Sequence, residues 1–231
     1  MLAIIQARLS SARLPGKVLR KLAGQPMLGR VYSQLSRSHR LSQIIVATSD
    51  DPSDNAIRDY CREQAIAYYR GPLNNVAQRF LDCAHHARAD AFLRICADSP
   101  LIDPALVDQV IALHATGNAD LTTNTQQRTF PKGQSVEIVR TAALADALGK
   151  MHDGEDHEHV TRYLYRHPDQ YRIQNFASDE PFGEVQLSVD TQADFDAIAA
   201  ILQQAGDQIT WRQAATLRLA NNEWAKRETV A

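Results

Sequence analysis

The chain predicts a Rossmann-like, three-layer α/β/α fold with a mostly parallel sheet, and three observations carry that expectation. Short apolar runs alternate with amphipathic stretches of roughly ten to fifteen residues through the first half of the chain, the pattern of crossover-connected strands. Two of the intervening stretches open on the same signal, an Asp followed by Pro (Asp51-Pro52 and Asp103-Pro104), which caps a helix and fills its first position. Cations crowd the loop just past the first apolar run, where open α/β sheets place ligands.

Taken in order, LAIIQA (2–7) reads as a buried strand and PMLGRVYSQLSRS (26–38) as a helix with Pro26 at its first position. QIIVATS (43–49) is a second strand, and Asp51-Pro52 with the acidic Asp54 opens a helix to about residue 65. AIAYYRG (65–71) reads as a short strand, NVAQRFLDCAHHAR (75–88) as a helix and AFLRICA (91–97) as a strand that stops at Asp98-Ser99-Pro100. A helix follows over 104–116. The second half is less regular. Strands are predicted at 119–124, 134–139, 170–176 and 185–189, and helices at 141–150, 156–167, 192–205 and from Trp211 to about Lys226. Thr191 with Asp194 three residues on has the form of a capping box. No repeat, low-complexity run or linker divides the 231 residues, so one domain is expected, with 125–180 as its most separable piece, an inserted arm.

Composition excludes several function classes. A formal net charge of −2 argues against a general nucleic-acid binder and makes any anion site local. Cys61, Cys83 and Cys96 are odd in number and lack CxxC spacing, which fits buried free thiols in a reducing compartment. Gln6 and Arg8 interrupt the first apolar run too early for a signal peptide or a membrane span, so a cytoplasmic protein is expected.

The stretch QARLSSARLPGK (6–17) places Arg8, Arg13 and Lys17 in one loop. Two planar guanidinium forks and a point charge suit a polyphosphate, and a solvated surface loop of the same composition is the alternative. The loop is not a Walker A motif, since position 11 is Ser and Lys17 precedes Val18, and its single glycine rules out the dinucleotide fingerprint. Among the acids, Asp51, Asp103 and Asp194 are explained as helix-start residues. Asp98 and Asp190 end apolar runs without that explanation and are candidates for a divalent cation, with turn formation as the alternative.

QARLSSARLPGKVLRKLAGQPML resembles the opening signature of the cytidylyltransferase superfamily, in the branch typified by spore-coat-polysaccharide biosynthesis proteins. The likeness continues in the same order through IIVATS, YYRGPLNNV, ADSPLIDP, EHVTRYLY and LSVDTQADF, covering about residues 1–200. The resemblance implies a nucleotidyltransferase fold and Mg²⁺-dependent joining of CTP to a sugar or sugar acid, giving a CMP-sugar and pyrophosphate for surface-polysaccharide biosynthesis. It implies phosphate binding and catalysis by Arg8, Arg13 and Lys17, further nucleotide contacts by Ser10, Ser49, Arg70 and Arg79, and metal ligation by Asp98 and Asp190. Lys132, Ser135, Glu137 and His159 fall in blocks expected to contact the acceptor, with the 125–180 arm supplying that side of the cleft and a homodimer contact.

The chain departs from the family pattern at Ala97, where relatives carry Gly, at Ser99 for Cys, and at Ser135 in FPKGQSVEI, where relatives often carry Asp. Ser135 puts acceptor chemistry in question. A nucleotide-sugar-dependent glycosyltransferase and a non-catalytic nucleotide-binding protein are the competing readings. Pyrophosphate, nucleoside diphosphate or no product separates the three. HDGEDHEHVTRYLYRH does not have zinc-ligand spacing, because His157 and His159 fall on different helix faces. Cys96 reads as a small core residue, Tyr163, Tyr165 and Phe176 as packing, and the bland reading of Arg79 is a surface ion pair beside Gln78 and Asp82.

Overall fold

In the computed structural model, which describes residues 1–228, the first strand is the hub. β1 (Leu2–Gln6) pairs in parallel with β4 (Gln43–Ser49) on one side and β6 (Ala91–Cys96) on the other. β4 pairs in parallel with β5 (Tyr68–Gly71). Beyond β6 the sheet turns antiparallel through β8 (Glu137–Arg140) and β7 (Leu121–Thr123), and β7 takes β9 (Ile173–Asn175) in parallel. The order is β5-β4-β1-β6-β8-β7-β9, so the chain grows outward from β1 to β5 and then crosses back to β6. That reversal puts a switch-point crevice past the carboxyl ends of β1 and β6.

Helices cover both faces, as the alternation of β1 requires. Ala3, Ile5 and Ala7 face α1 (Met27–Leu35), α2 (Asn55–Glu63), α4 (Pro104–Thr116), α8 (Gln192–Ala205) and the start of α9 (Trp211–Glu228). Leu2 and Ile4 face α3 (Val76–His86), α5 (Thr141–Leu148) and Leu164 of the short α7 (Arg162–Arg166). A central strand buried on both sides needs apolar residues at every position, which is why LAII is continuous rather than alternating. The cap-plus-proline signals act as expected: Asp51 accepts from the Ser53 amide and Asp103 from the Ala105 amide, and Thr191 with Asp194 closes a full capping box. Among the described residues no helix is long and apolar enough to cross a membrane.

Four expectations need correction. Pro26 lies outside α1, in a two-stranded ribbon of β2 (Lys21–Leu22) and β3 (Gln25–Pro26) whose strands are too short to show a period. The strand expected from 65 begins at Tyr68, because Ala65 takes a positive φ of 52° where α2 ends and turns the chain. The helix expected over 156–167 is two, α6 (Gly154–Glu158) and α7, since His159 leaves the helical region and Thr161 turns its hydroxyl to Glu137. Residues 185–189 form no strand. They make one bridge, Lys132 to Gln186, and otherwise bury Val185, Leu187 and Val189 in the core.

That bridged segment sets the site. The Lys132 amide donates to the Val185 carbonyl and the Leu187 amide to the Lys132 carbonyl, and the Val189 amide donates to the Asp98 carbonyl, 2.9 Å away. Gly133 follows at φ +93°, where a Cβ would lie 2.5 Å from the Ser188 nitrogen and 2.6 Å from the Leu187 carbonyl carbon. Gly133→Ala is therefore expected to cost on the order of 2–4 kcal/mol in urea denaturation. Gly16→Ala, at φ +69° with open space around it, should cost only about 1–2 kcal/mol. Equal costs would show that the 185–190 segment yields freely.

Candidate active site

The opening loop leaves β1 and is clasped from beneath. Asp54, fully buried, accepts from the Leu9 amide at 2.7 Å with one oxygen and from the Ser49 hydroxyl at 2.5 Å with the other. The first-turn acid of a helix start thus ties the loop to the end of β4, a role its position in the pattern does not announce. Leu14 and Val18 are buried, and Gly16 turns the chain so that Lys17 points inward at the head of a single 3-10 turn.

The Lys17 ammonium is the centre of the crevice. It donates to Asp98 Oδ2 at 3.1 Å, to Asp190 Oδ1 at 3.2 Å and to the Val189 carbonyl at 2.6 Å, which uses all three of its hydrogens. Asp98 follows β6 and Asp190 precedes α8, so two carboxylates far apart in sequence converge on one cation. Arg13 also reaches Asp190 Oδ1, at 2.9 Å, but its side chain is 66% exposed and the pair is labile. Arg8 pairs with Glu158 of α6 at 2.5 Å.

Two clefts meet here. One, of about 460 Å³, is lined by Gln6, Arg8, Ser10, Arg13, Lys17, Asp98, Asp190 and His159. The other, of about 320 Å³, lies on the β8 side and is lined by Asp98, Ser99, Arg128, Lys132, Ser135, Glu137 and Ser188. Both are of small-molecule size. Asp98, Arg94 and Cys96 border the two, so a group held in one faces a group held in the other. Arg128 and Lys132 are exposed and have no carboxylate partner among the described residues; Arg128 reaches only the Ser135 hydroxyl, at 3.4 Å.

Other expected site residues lie elsewhere. Ser49 is buried with its hydroxyl on Asp54, and Arg70 is braced on the Ser49 and Asp51 carbonyls. Arg79 is no surface ion pair: it is fully buried, Asp82 bonds to Gln78, and only one guanidinium nitrogen has a partner, the Pro72 carbonyl at 2.7 Å. Burial lowers its pKa, and the nearby Asp54 and Glu158 carboxylates work the other way. His159 is exposed beside Glu155 and lines the loop-side cleft rather than the β8 side. Glu137 sits at the floor of the second cleft with both oxygens occupied, by Arg94 at 2.6 Å and by Thr161 and Tyr165 at 2.9 and 2.8 Å. Burial pushes the Cys96 thiol up to about 11, so it is protonated at neutral pH.

Comparison with known proteins follows the same lines. A family model described as Cytidylyltransferase matches residues 2–213. The spore coat polysaccharide biosynthesis protein SpsF of Bacillus subtilis is 33% identical over 216 residues, 90% of this chain and 88% of that one. The 3-deoxy-manno-octulosonate cytidylyltransferase of Geobacter sulfurreducens is 34% identical over 110 residues, 48% of this chain and 43% of its own. The solved structure of a cytidylyltransferase from Leptospira borgpetersenii superposes with a TM-score of 0.91 at 23% identity, covering 96% of this chain and 95% of that one.

The Asp54 clasp has a direct test. An amide side chain has one acceptor oxygen and cannot serve both the Leu9 amide and the Ser49 hydroxyl as Asp54 does. Asp54→Asn is expected to cost about 1–3 kcal/mol in denaturant unfolding and to speed hydrogen exchange at the Leu9 amide. Unchanged exchange at Leu9 would remove Asp54 from the support of the loop.

Proposed function

The chain belongs to the cytidylyltransferase family, and from that premise we propose that it joins CTP to a sugar or sugar acid, giving a CMP-sugar and pyrophosphate for surface-polysaccharide biosynthesis. The observation that carries this reading is the convergence of Asp98 and Asp190 on the Lys17 ammonium at the meeting of the two clefts. The loop-lined cleft takes the nucleotide. Arg8, Arg13 and Lys17 hold its phosphates and stabilise the charge of the departing pyrophosphate, with Ser10 beside them. Ser49, Arg70 and Arg79 support the nucleotide side from behind, through the β4 end and the buried layer under the loop.

The two aspartates fit Mg²⁺. They already share one cation, and a hard ion that keeps several waters needs only one or two carboxylates. No cluster of three or more His, Cys, Asp or Glu suited to a metal occurs among the described residues, so Asp98 and Asp190 would be the side chains that hold the ion. When bound there, the metal supplies neutralisation of the phosphate that is transferred.

The β8-side cleft takes the acceptor, with Lys132, Ser135 and Arg128 at its mouth and Glu137 at its floor. The unpaired cations favour an acceptor that carries an anionic group, as a sugar acid does. An acceptor hydroxyl attacks the α-phosphorus and the bond to the bridging oxygen of pyrophosphate breaks. Cys96 stays protonated and Glu137 is fully bonded, so neither takes the hydroxyl proton, which passes to solvent water. The 125–180 segment builds this side, and we assign it the homodimer contact as well.

Thermal unfolding with CTP, UTP, GTP, ATP and UDP-sugars, with and without Mg²⁺, tests the reading together with pyrophosphate release on a panel of sugar acids that includes 3-deoxy-manno-octulosonate. At a hundred-fold excess over Kd, binding adds about 2.7 kcal/mol, or about 5–10 °C for a chain of this size. The expected result is a Mg²⁺-dependent shift with CTP, reduced in Arg13→Ala. Asp98→Asn should unfold near the wild-type temperature and lose turnover by about 100-fold or more. A response to UDP-sugars alone would make this a glycosyltransferase, nucleotide binding without any product would leave the non-catalytic reading, and no response to any nucleotide would overturn the nucleotide site itself.

A further inference from the structure

Gln6 is the last residue of β1 and lines the loop-side cleft. Its Oε1 accepts from both Nε and one terminal nitrogen of Arg94, at 3.3 and 3.0 Å. Arginine has donors only, so the carbonyl end of the Gln6 amide must face it and the NH₂ end must face away. Arg94 is itself fixed. Its other terminal nitrogen donates to Glu137 across the β6–β8 pair, where the two residues are register partners. Glu137 in turn accepts from Thr161 and Tyr165. Burial, followed by the Glu137 carboxylate, raises the Tyr165 pKa, so its phenol stays a donor. The side chains of three adjacent strands and α7 thus lock one amide in one orientation.

The Gln6 Nε2 makes no hydrogen bond to any described residue, although every other polar group of the chain Gln6–Arg94–Glu137–Tyr165 has its partner. We propose that this NH₂ group is a substrate contact, donating to an oxygen of the bound nucleotide, and that Arg94 and Glu137 are positioning residues that aim it. The nucleotide, rather than the acceptor, is the ligand because Gln6 lines the cleft of Arg8, Arg13 and Lys17 and is absent from the lining of the β8-side cleft. This inference rests on the reading of that cleft as the CTP site. A phosphate oxygen and a ribose hydroxyl offer the same acceptor chemistry.

Titration calorimetry with Mg²⁺ and either CTP or 2′-deoxy-CTP tests the proposal in the wild type and three variants. Gln6→Met removes the donor without adding charge. Gln6→Glu keeps an acceptor for Arg94, so it separates donation to the ligand from anchoring of Arg94. Each should weaken CTP binding by about ten-fold or more. Arg94→Lys cannot fork onto both neighbours, and it should weaken binding in the wild-type background but add little to Gln6→Met. If the contact is to phosphate, Gln6→Met loses the same factor with both nucleotides. If it is to the 2′-hydroxyl, the wild type loses that factor with 2′-deoxy-CTP and Gln6→Met loses no more. Either folded Gln6 variant binding both nucleotides as tightly as the wild type overturns the proposal while leaving the CTP site standing. A wild type that binds neither overturns both.

Discussion

One ammonium group holds the two halves of the crevice together. Lys17 is nearly buried, and its three hydrogens go to Asp98 beyond β6, to Asp190 ahead of α8 and to the Val189 carbonyl between them. Two carboxylates at this spacing would repel if left alone. A buried ammonium without them would be equally unfavourable. The loop after β1, the turn after β6 and the segment before α8 therefore share one electrostatic solution, in which Lys17 keeps Asp190 and the Val189 carbonyl as partners beside Asp98. The backbone bond from Val189 to Asp98 sets the same junction independently of charge.

The sheet makes that junction possible. β1 lies between β4 and β6, so the connections after β1 and β6 open on the same edge. Antiparallel β8 begins at that edge, which brings Glu137 beside Arg94 and closes the second cleft. A parallel strand in that place would present its last residue there, not its first. The change of direction after β6 thus sets the two clefts side by side, and Asp98 stands between them.

Much of this was legible from residues alone, and the failures have physical reasons. The strand–helix alternation and the Asp-Pro caps located the parallel half, because continuous apolar strands and helix starts leave local signatures. EVQLSV alternates like a strand yet forms none, since its apolar side chains are buried by packing while its backbone finds a single bridge at Lys132. In the site, Arg8, Arg13, Lys17, Asp98 and Asp190 stood out as charges at strand ends without a capping role, and the structure brings them into one cleft. Asp54 was hidden by looking like an ordinary first-turn acid. Arg94 was hidden inside an apolar run, and its partners Gln6 and Glu137 lie on other strands, so only the sheet register joins them.

The Lys17–aspartate junction is most directly probed by Mn²⁺ binding, followed by electron paramagnetic resonance with and without CTP. If the ammonium shares the aspartates until a triphosphate takes Lys17, free protein should bind Mn²⁺ weakly. CTP should tighten that binding by ten-fold or more, and Asp190→Asn should abolish the gain. Equal Mn²⁺ affinity with and without CTP, or a gain that survives in Asp190→Asn, would contradict a cation site shared between Lys17 and the metal.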